Sequence, residues 1–176
     1  MAVDITNDFH IHPSVYIAPG ARLYGKITIG ANSNIWDGAV LRGDFAPIII
    51  GENTSIQENC VVHVGMNHPI HIGDNVLIGH GVVIDGATVE NNCLIAINST
   101  VLKGAVIKQG SIVGAGAVVM EKEIIPQNSM VYGLPAKVVK ETDADRRHFI
   151  LKATQGYAEL AKQYKEQFRN KQIKER

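Results

Sequence analysis

The sequence predicts an all-β solenoid of very short parallel strands, followed by one C-terminal α-helix. Three observations predict it. Aliphatic residues recur every six positions over most of the chain, and a small residue stands two positions before many of them. After GLPAKVVKE this beat gives way to a charged pattern with helical spacing.

The repeat begins with Ile11, Ile17, Leu23, Ile29, Ile35 and Leu41. It resumes through Ile50, Ile56 and Val62, and again through Ile72, Ile78 and Ile84. From Val89 it runs unbroken through Ile95, Val101, Ile107, Val113, Val119 and Ile125 to Val131. A helix would turn a six-residue repeat by roughly 600° and scatter it over all faces. A hairpin protein would instead show alternation bounded by turn signals at longer intervals. A coil with a corner in each hexapeptide accounts for the period: the aliphatic points inward, and residues such as Ser33, Ala39, Cys93, Ser99 and Ala105 fit the tight corner. Gly or Asn supplies the unusual backbone angles there. Three hexapeptide sides make one coil, so the sequence predicts a hexapeptide-repeat parallel β-helix.

The spacing breaks between Leu41 and Ile50, between Val62 and Ile72, and between Ile84 and Val89. The first two breaks, at DFAP and GMNHP, are expected to bulge from the scaffold as loops, where function concentrates.

Residues 1–140 are accordingly assigned to the β-helix and 141–176 to a helix packing on the coil or on a neighbouring subunit. From Asp143 to about Asn170 the apolar positions Phe149, Ala153, Tyr157, Leu160, Tyr164 and Phe168 fall three or four apart, with Thr142 as N-terminal cap. Gly156 weakens the middle of this helix by ~1 kcal/mol relative to Ala. The closing KQIKER is expected to be a solvated end.

Composition narrows the function classes. Hydrophobic residues are 45% of the chain and aromatics only 6%, which suits thin β layers rather than a thick mixed core. Lys+Arg and Asp+Glu are both 17, so no global field draws nucleic acid or an anionic membrane. No run approaches the ~18 apolar residues of a spanning helix, and MAVDITNDFHIHP lacks the features of a secretion signal. Cys60 and Cys93 are expected as buried thiols in a reducing compartment, the cytoplasm.

His63, His80 and Asp85 are the candidate metal ligands. His63 directly follows inward Val62, and Asp85 directly follows inward Ile84, so both take the same corner position. They lie 22 residues apart; the GMNHP break adds four residues to one hexapeptide, and removing those leaves one coil of 18. The two side chains should therefore stack on neighbouring rungs, ~4.8 Å apart. Imidazole and carboxylate are both acceptable zinc ligands at about 2.0–2.2 Å. His80 lies two residues after Ile78, at another phase of the corner, and should face whatever packs beside the coil. An identical subunit there would let His80 complete the site of its neighbour.

The runs NIWDGAVLRGDFAPIIIGENTSIQENCVVHV, IGDNVLIGHG, SIVGAGAVV and GLPAKVVKE resemble the γ-class carbonic anhydrase-like family over roughly residues 11–140. The resemblance implies a left-handed β-helix and a homotrimer with a zinc, iron or cobalt ion at each subunit interface. It implies three histidine ligands, two from one subunit and one from its neighbour. His63 and His80 match two of them, and Asp85 stands where the third is expected. Arg42 and Asp44 resemble the family's interface ion pair, and Gln57 its residue that hydrogen-bonds water or bicarbonate at the ion. Phe45 stands where an active branch of the family has a glutamate, leaving His68 of the GMNHP loop as a substitute proton shuttle to consider.

The resemblance implies reversible CO2 hydration, weakened or lost through Asp85. A carboxylate ligand reduces the ion's effective charge and raises the pKa of the water it activates. Two other functions compete. One is acyl transfer or thioester hydrolysis on coenzyme A with His80 as general base. The other is a catalytically silent trimeric scaffold.

Overall fold

The computed structural model describes residues 6–174, with side chains through Phe168. The solvated end expected for KQIKER therefore concerns side chains outside the described residues. The chain winds as a parallel β-solenoid with three faces. The first face stacks the opening halves of Arg22–Ile29 and Val40–Ile50 with Val61–His63, Val83–Asp85, Thr100–Val101 and Val118–Val119. The second carries the closing halves of the two long strands, flanked by Asp8–Ile11 on one side and by Ile70–Ile72, Thr88–Val89, Val106–Ile107 and Ile124–Ile125 on the other. The third stacks seven parallel strands from Tyr16–Ile17 to Ser129–Tyr132 and closes with antiparallel Lys137–Glu141.

The six-residue aliphatics form the interior. Ile29, Ile35, Leu41, Ile56, Ile78, Ile84, Ile95 and Val113 are all at most 1% exposed and belong to one continuous core. Parallel pairing sets each above its equivalent one coil away, as Ile35 above Ile56 and Ile95 above Val113. Full burial of such a side chain contributes about 1.5–3 kcal/mol, so the ladder carries most of the fold's stability. The small corner residues Ser33, Ala39, Cys93, Ser99 and Ala105 are fully buried beside it.

Most of the unusual backbone angles occur at one phase, three residues before an inward aliphatic. Asn32, Asn53, Gly81, Asn98 and Gly110 have φ between +52° and +73° there. Asn tolerates this left-handed region better than other side chains do, and Gly enters it without steric cost. Glycines directly after an aliphatic serve a different purpose. A Cβ on Gly30 would lie 2.7 Å from the carbonyl carbon of Gly51 on the next coil. Their job is close approach between coils.

The two expected loops differ. GMNHP does leave the ladder, as a tight turn with an isolated bridge between Gly65 and His68 and Asn67 at φ +59°. DFAP does not: it lies within the continuous strand Val40–Ile50. Gly25 pairs with Gly43 and Ile27 with Ile48, so the three extra residues are taken up as an irregularity in the pairing. A Cβ on Gly25 would meet the Gly43 carbonyl oxygen at 2.2 Å, so two glycines let the strands stay paired around this corner.

The helix Ala144–Lys174 runs back along the third face, but rotated from the stripe expected. Ile150, Thr154, Ala158 and Ala161 are buried, whereas Phe149 is 59% exposed and Leu160, Tyr164 and Phe168 are 37–40% exposed. A face of two-residue strands is flat, and small side chains let the helix approach it closely. The larger rings flank the contact: Tyr16 and Trp36 of the coil meet Tyr157, Tyr164 and Phe168 at centroid distances of 5.4–6.4 Å. Lys165 donates to the carbonyls of Pro13 and Val15, tying the helix to the first coil. The N-cap is also displaced by one residue. Asp143 accepts from the backbone N–H of Arg146 at 2.8 Å, while the Thr142 hydroxyl turns inward to donate to Gly110 O at 3.0 Å.

Candidate metal centre

The first face is bordered by two columns of corner residues, and the candidate residues divide between them. One column contains Arg42, His63 and Asp85, placed in register by the pairing of Val40–Ile50 with Val61–His63 and of Val61–His63 with Val83–Asp85. His63 and Asp85 are therefore one coil apart. His63 Nδ1 lies 2.9 Å from Asp85 Oδ1, with the side chains 26% and 31% exposed.

Asp44 closes this edge. Its Oδ2 accepts from Arg42 at 2.6 Å, and its Oδ1 accepts from the Phe45 N–H at 3.0 Å. Burial by itself would raise the Asp44 carboxyl; the Arg42 guanidinium and the N–H groups of Asp44 and Phe45 outweigh it and hold the carboxyl below its ordinary range. Asp44 Oδ1 lies 3.9 Å from His63 Nε2, and Phe45 stands edge-on to the imidazole at 6.5 Å. Among the described residues His63 Nε2, which is buried, has no hydrogen-bond partner. Such a group is costly unless it is satisfied when the site is complete.

The opposite column contains Glu58 and His80. His80 Nδ1 lies 2.7 Å from Glu58 Oε2, and both side chains are open to solvent at 47% and 40%. The glycines around His80 are structural requirements: Gly81 has φ +70°, and a Cβ on Gly79 would lie 2.9 Å from Ile97 N on the next coil. Gln57 precedes Glu58 and is buried, with its N–H bonded to Ile78 O at 3.0 Å.

One chain thus brings together His63, Asp85, Asp44 and Arg42, but it does not bring His80 or Gln57 to them. Among the described residues no three His, Cys, Asp or Glu side chains of a single chain converge as a metal site. The donor chemistry nevertheless suits a metal. Two ligands of a tetrahedral ion at ~2.0–2.2 Å stand ~3.3–3.6 Å apart, so the 2.9 Å contact of imidazole and carboxylate needs to open by only about half an ångström to admit one. Val61 and Val83, exposed at 40% and 37%, present apolar surface between the two columns. GMNHP folds onto the Asp85 side, since a Cβ on Gly86 would meet His68 Cβ at 2.8 Å. The sequence-based site did not include the Glu58–His80 pair, although its offset equals that of His63–Asp85.

Comparison with known proteins agrees with this architecture. Residues 10–43 match the bacterial transferase hexapeptide (six repeats) model, and residues 47–86 and 86–121 match the hexapeptide repeat of succinyl-transferase. A protein of Methanocaldococcus jannaschii described as a probable carbonic anhydrase is 50% identical over 86% of this chain and 95% of its own length. Gamma carbonic anhydrase 1, mitochondrial, of Arabidopsis thaliana is 37% identical over 86% of this chain and 57% of that protein. The crystal structure of a hexapeptide transferase family protein from Anaplasma phagocytophilum superposes with a TM-score of 0.85 at 34% identity, covering 89% of this chain and 92% of that one. With half of the aligned residues shared with one relative over nearly the whole of that protein, this chain belongs to the γ-class carbonic anhydrase-like family, whose members imply a metal cofactor.

Proposed function

We propose that this protein interconverts CO2 and bicarbonate at a metal ion held between subunits of a homotrimer. His63 and Asp85 of one chain and His80 of a second copy are its ligands. Zinc is the ion proposed, with iron or cobalt as alternative occupants of the same donor set. The observation that carries the reading is the contact of His63 Nδ1 with Asp85 Oδ1 across one coil. Its supporting feature is axial. Glu58–His80 and His63–Asp85 span the same two coils on opposite edges of one face. A ring of copies about an axis parallel to the coil would therefore set the His80 edge of each beside the His63 edge of the next. Such a head-to-tail contact closes when the rotation does.

When bound, the ion would lower the pKa of a water and so supply hydroxide for attack on CO2. The protein's own residues do the rest. Asp44, fixed by Arg42, places a negative charge 3.9 Å from His63 Nε2. Gln57, on the His80 edge, presents an amide to a bicarbonate oxygen. Asp85 makes the ligand set less positive than three imidazoles would, so hydration should be slow at neutral pH and faster in alkali.

Metal analysis of the purified protein, paired with stopped-flow CO2 hydration, tests this reading. Wild type should retain about one ion per chain and hydrate CO2 slowly, and Asp85→His should bind metal at least as tightly and raise the neutral-pH rate. A metal-free wild type that Asp85→His does not rescue would sink it. The exposed Glu58–His80 pair favours a second reading, in which His80 serves as general base for acyl transfer from coenzyme A. Turnover of acetyl-coenzyme A without metal, lost in His80→Ala, would select it.

A further inference from the structure

We infer that Glu58 is a positioning residue, which fixes His80 as the tautomer with its proton on Nδ1 and its lone pair on Nε2. The Glu58 Oε2–His80 Nδ1 separation is 2.7 Å, and a carboxylate can only accept in that contact. A proton must therefore sit on Nδ1, and in the neutral ring, the form that binds metal, Nε2 is then the free donor atom. Neutral imidazole binds metal through an unprotonated nitrogen, and which nitrogen that is depends on the bond made by the other.

The backbone holds the pair in place from both sides. Gly81 N donates to Glu58 O at 2.9 Å, and Asn98 N donates to His80 O at 2.9 Å, so Glu58 and His80 occupy consecutive rungs of one column. Gly79 and Gly81 place no side chain against the ring, and no other ionic partner of His80 is present among the described residues. Glu58 thus meets His80 as Asp85 meets His63: each carboxylate lies one coil from its imidazole and within hydrogen-bond reach of Nδ1. Each imidazole then turns one nitrogen to a carboxylate of its own chain. The His80 side chain is 47% exposed, at the edge that a second copy of the chain would approach. The consequence for metal rests on the function proposed above; the tautomer itself does not.

The test uses the full-length protein. Long-range proton–nitrogen spectra of the metal-free form, with the His80 signals identified by their loss in His80→Ala, report the tautomer directly. Wild type should show the Nδ1–H form of His80, and Glu58→Ala should lose that preference while the spectrum elsewhere is retained. Zinc affinity, measured by chelator competition, should fall about 10–100-fold in Glu58→Ala. An Nε2–H tautomer in wild type or an unchanged tautomer in Glu58→Ala would each overturn the inference, as would zinc affinity that falls in His80→Ala but is unchanged in Glu58→Ala. Zinc affinity unaltered by His80→Ala removes the proposed ligand instead, and the metal-free spectra then still decide the role of Glu58.

Discussion

Burial pushes the two thiols far above their ordinary range, Cys60 to about 11 and Cys93 to about 12. At pH 8 neither is a thiolate in the folded protein. Both should resist a thiol reagent until the chain unfolds and then react together, which a colorimetric thiol count with and without denaturant would check. At this scale the sequence was most informative where position is set by the repeat. His63 and Asp85 could be placed on one column because each follows an inward aliphatic, and the four residues that the GMNHP break adds could be subtracted. The contact of Asp85 with His63 and that of Asp44 with Arg42 are side-chain choices that spacing leaves open. The same holds for Glu58 and His80: the 22-residue offset was in the chain, but a solvent-facing glutamate carries no mark of its partner.

At the scale of elements, the helix is where periodicity misled. Phe149, Leu160 and Tyr164 are the more apolar stripe, yet Ile150, Thr154, Ala158 and Ala161 make the contact. Approach distance decided it, because small side chains bring more of the helix into range of the flat face. Thr154 can be buried there because its hydroxyl donates to Leu151 O at 3.0 Å. Ala161→Leu should therefore cost about 1–3 kcal/mol by overpacking, read as a lowered denaturant midpoint. Asp143→Ala should cost about 1 kcal/mol through loss of the cap, whereas Thr142→Ser should leave the cap intact. An equal loss in Thr142→Ser and Asp143→Ala would contradict the assignment of Asp143. The strand DFAP is the converse case. An insertion in the beat signals a departure from the ladder, but whether the extra residues leave it depends on whether glycines on both coils let the strands remain paired.

At the scale of the molecule, the continuous core predicts that damage is shared. Ile84→Ala in the centre of the coil should destabilise by about 2–5 kcal/mol and lower the midpoint of a single transition. Glu90 adds a smaller, pH-dependent contribution. Its bond from Lys108 at 2.7 Å holds the Glu90 carboxyl below its ordinary range, so this stability is complete above the unfolded value near ~4.3. It fades as pH falls through the lowered folded value. Glu90→Gln should thus be less stable than wild type by under about 1 kcal/mol at pH 7, the pair being partly exposed, with the gap closing in acid. His80→Ala, at an exposed corner, should leave the assembly state unchanged in sedimentation while abolishing metal binding.

The sequence by itself determined the coil, its three faces and the column shared by His63 and Asp85, because a period of six admits one economical winding and the winding fixes every phase. It also determined the family, through motifs read in order along the chain. Tertiary structure alone decided which face of the helix meets the coil, which residue caps it, and which carboxylate each imidazole meets. Those outcomes turn on distances of closest approach between side chains remote in sequence, and a repeat specifies where a side chain starts but not which neighbour it reaches.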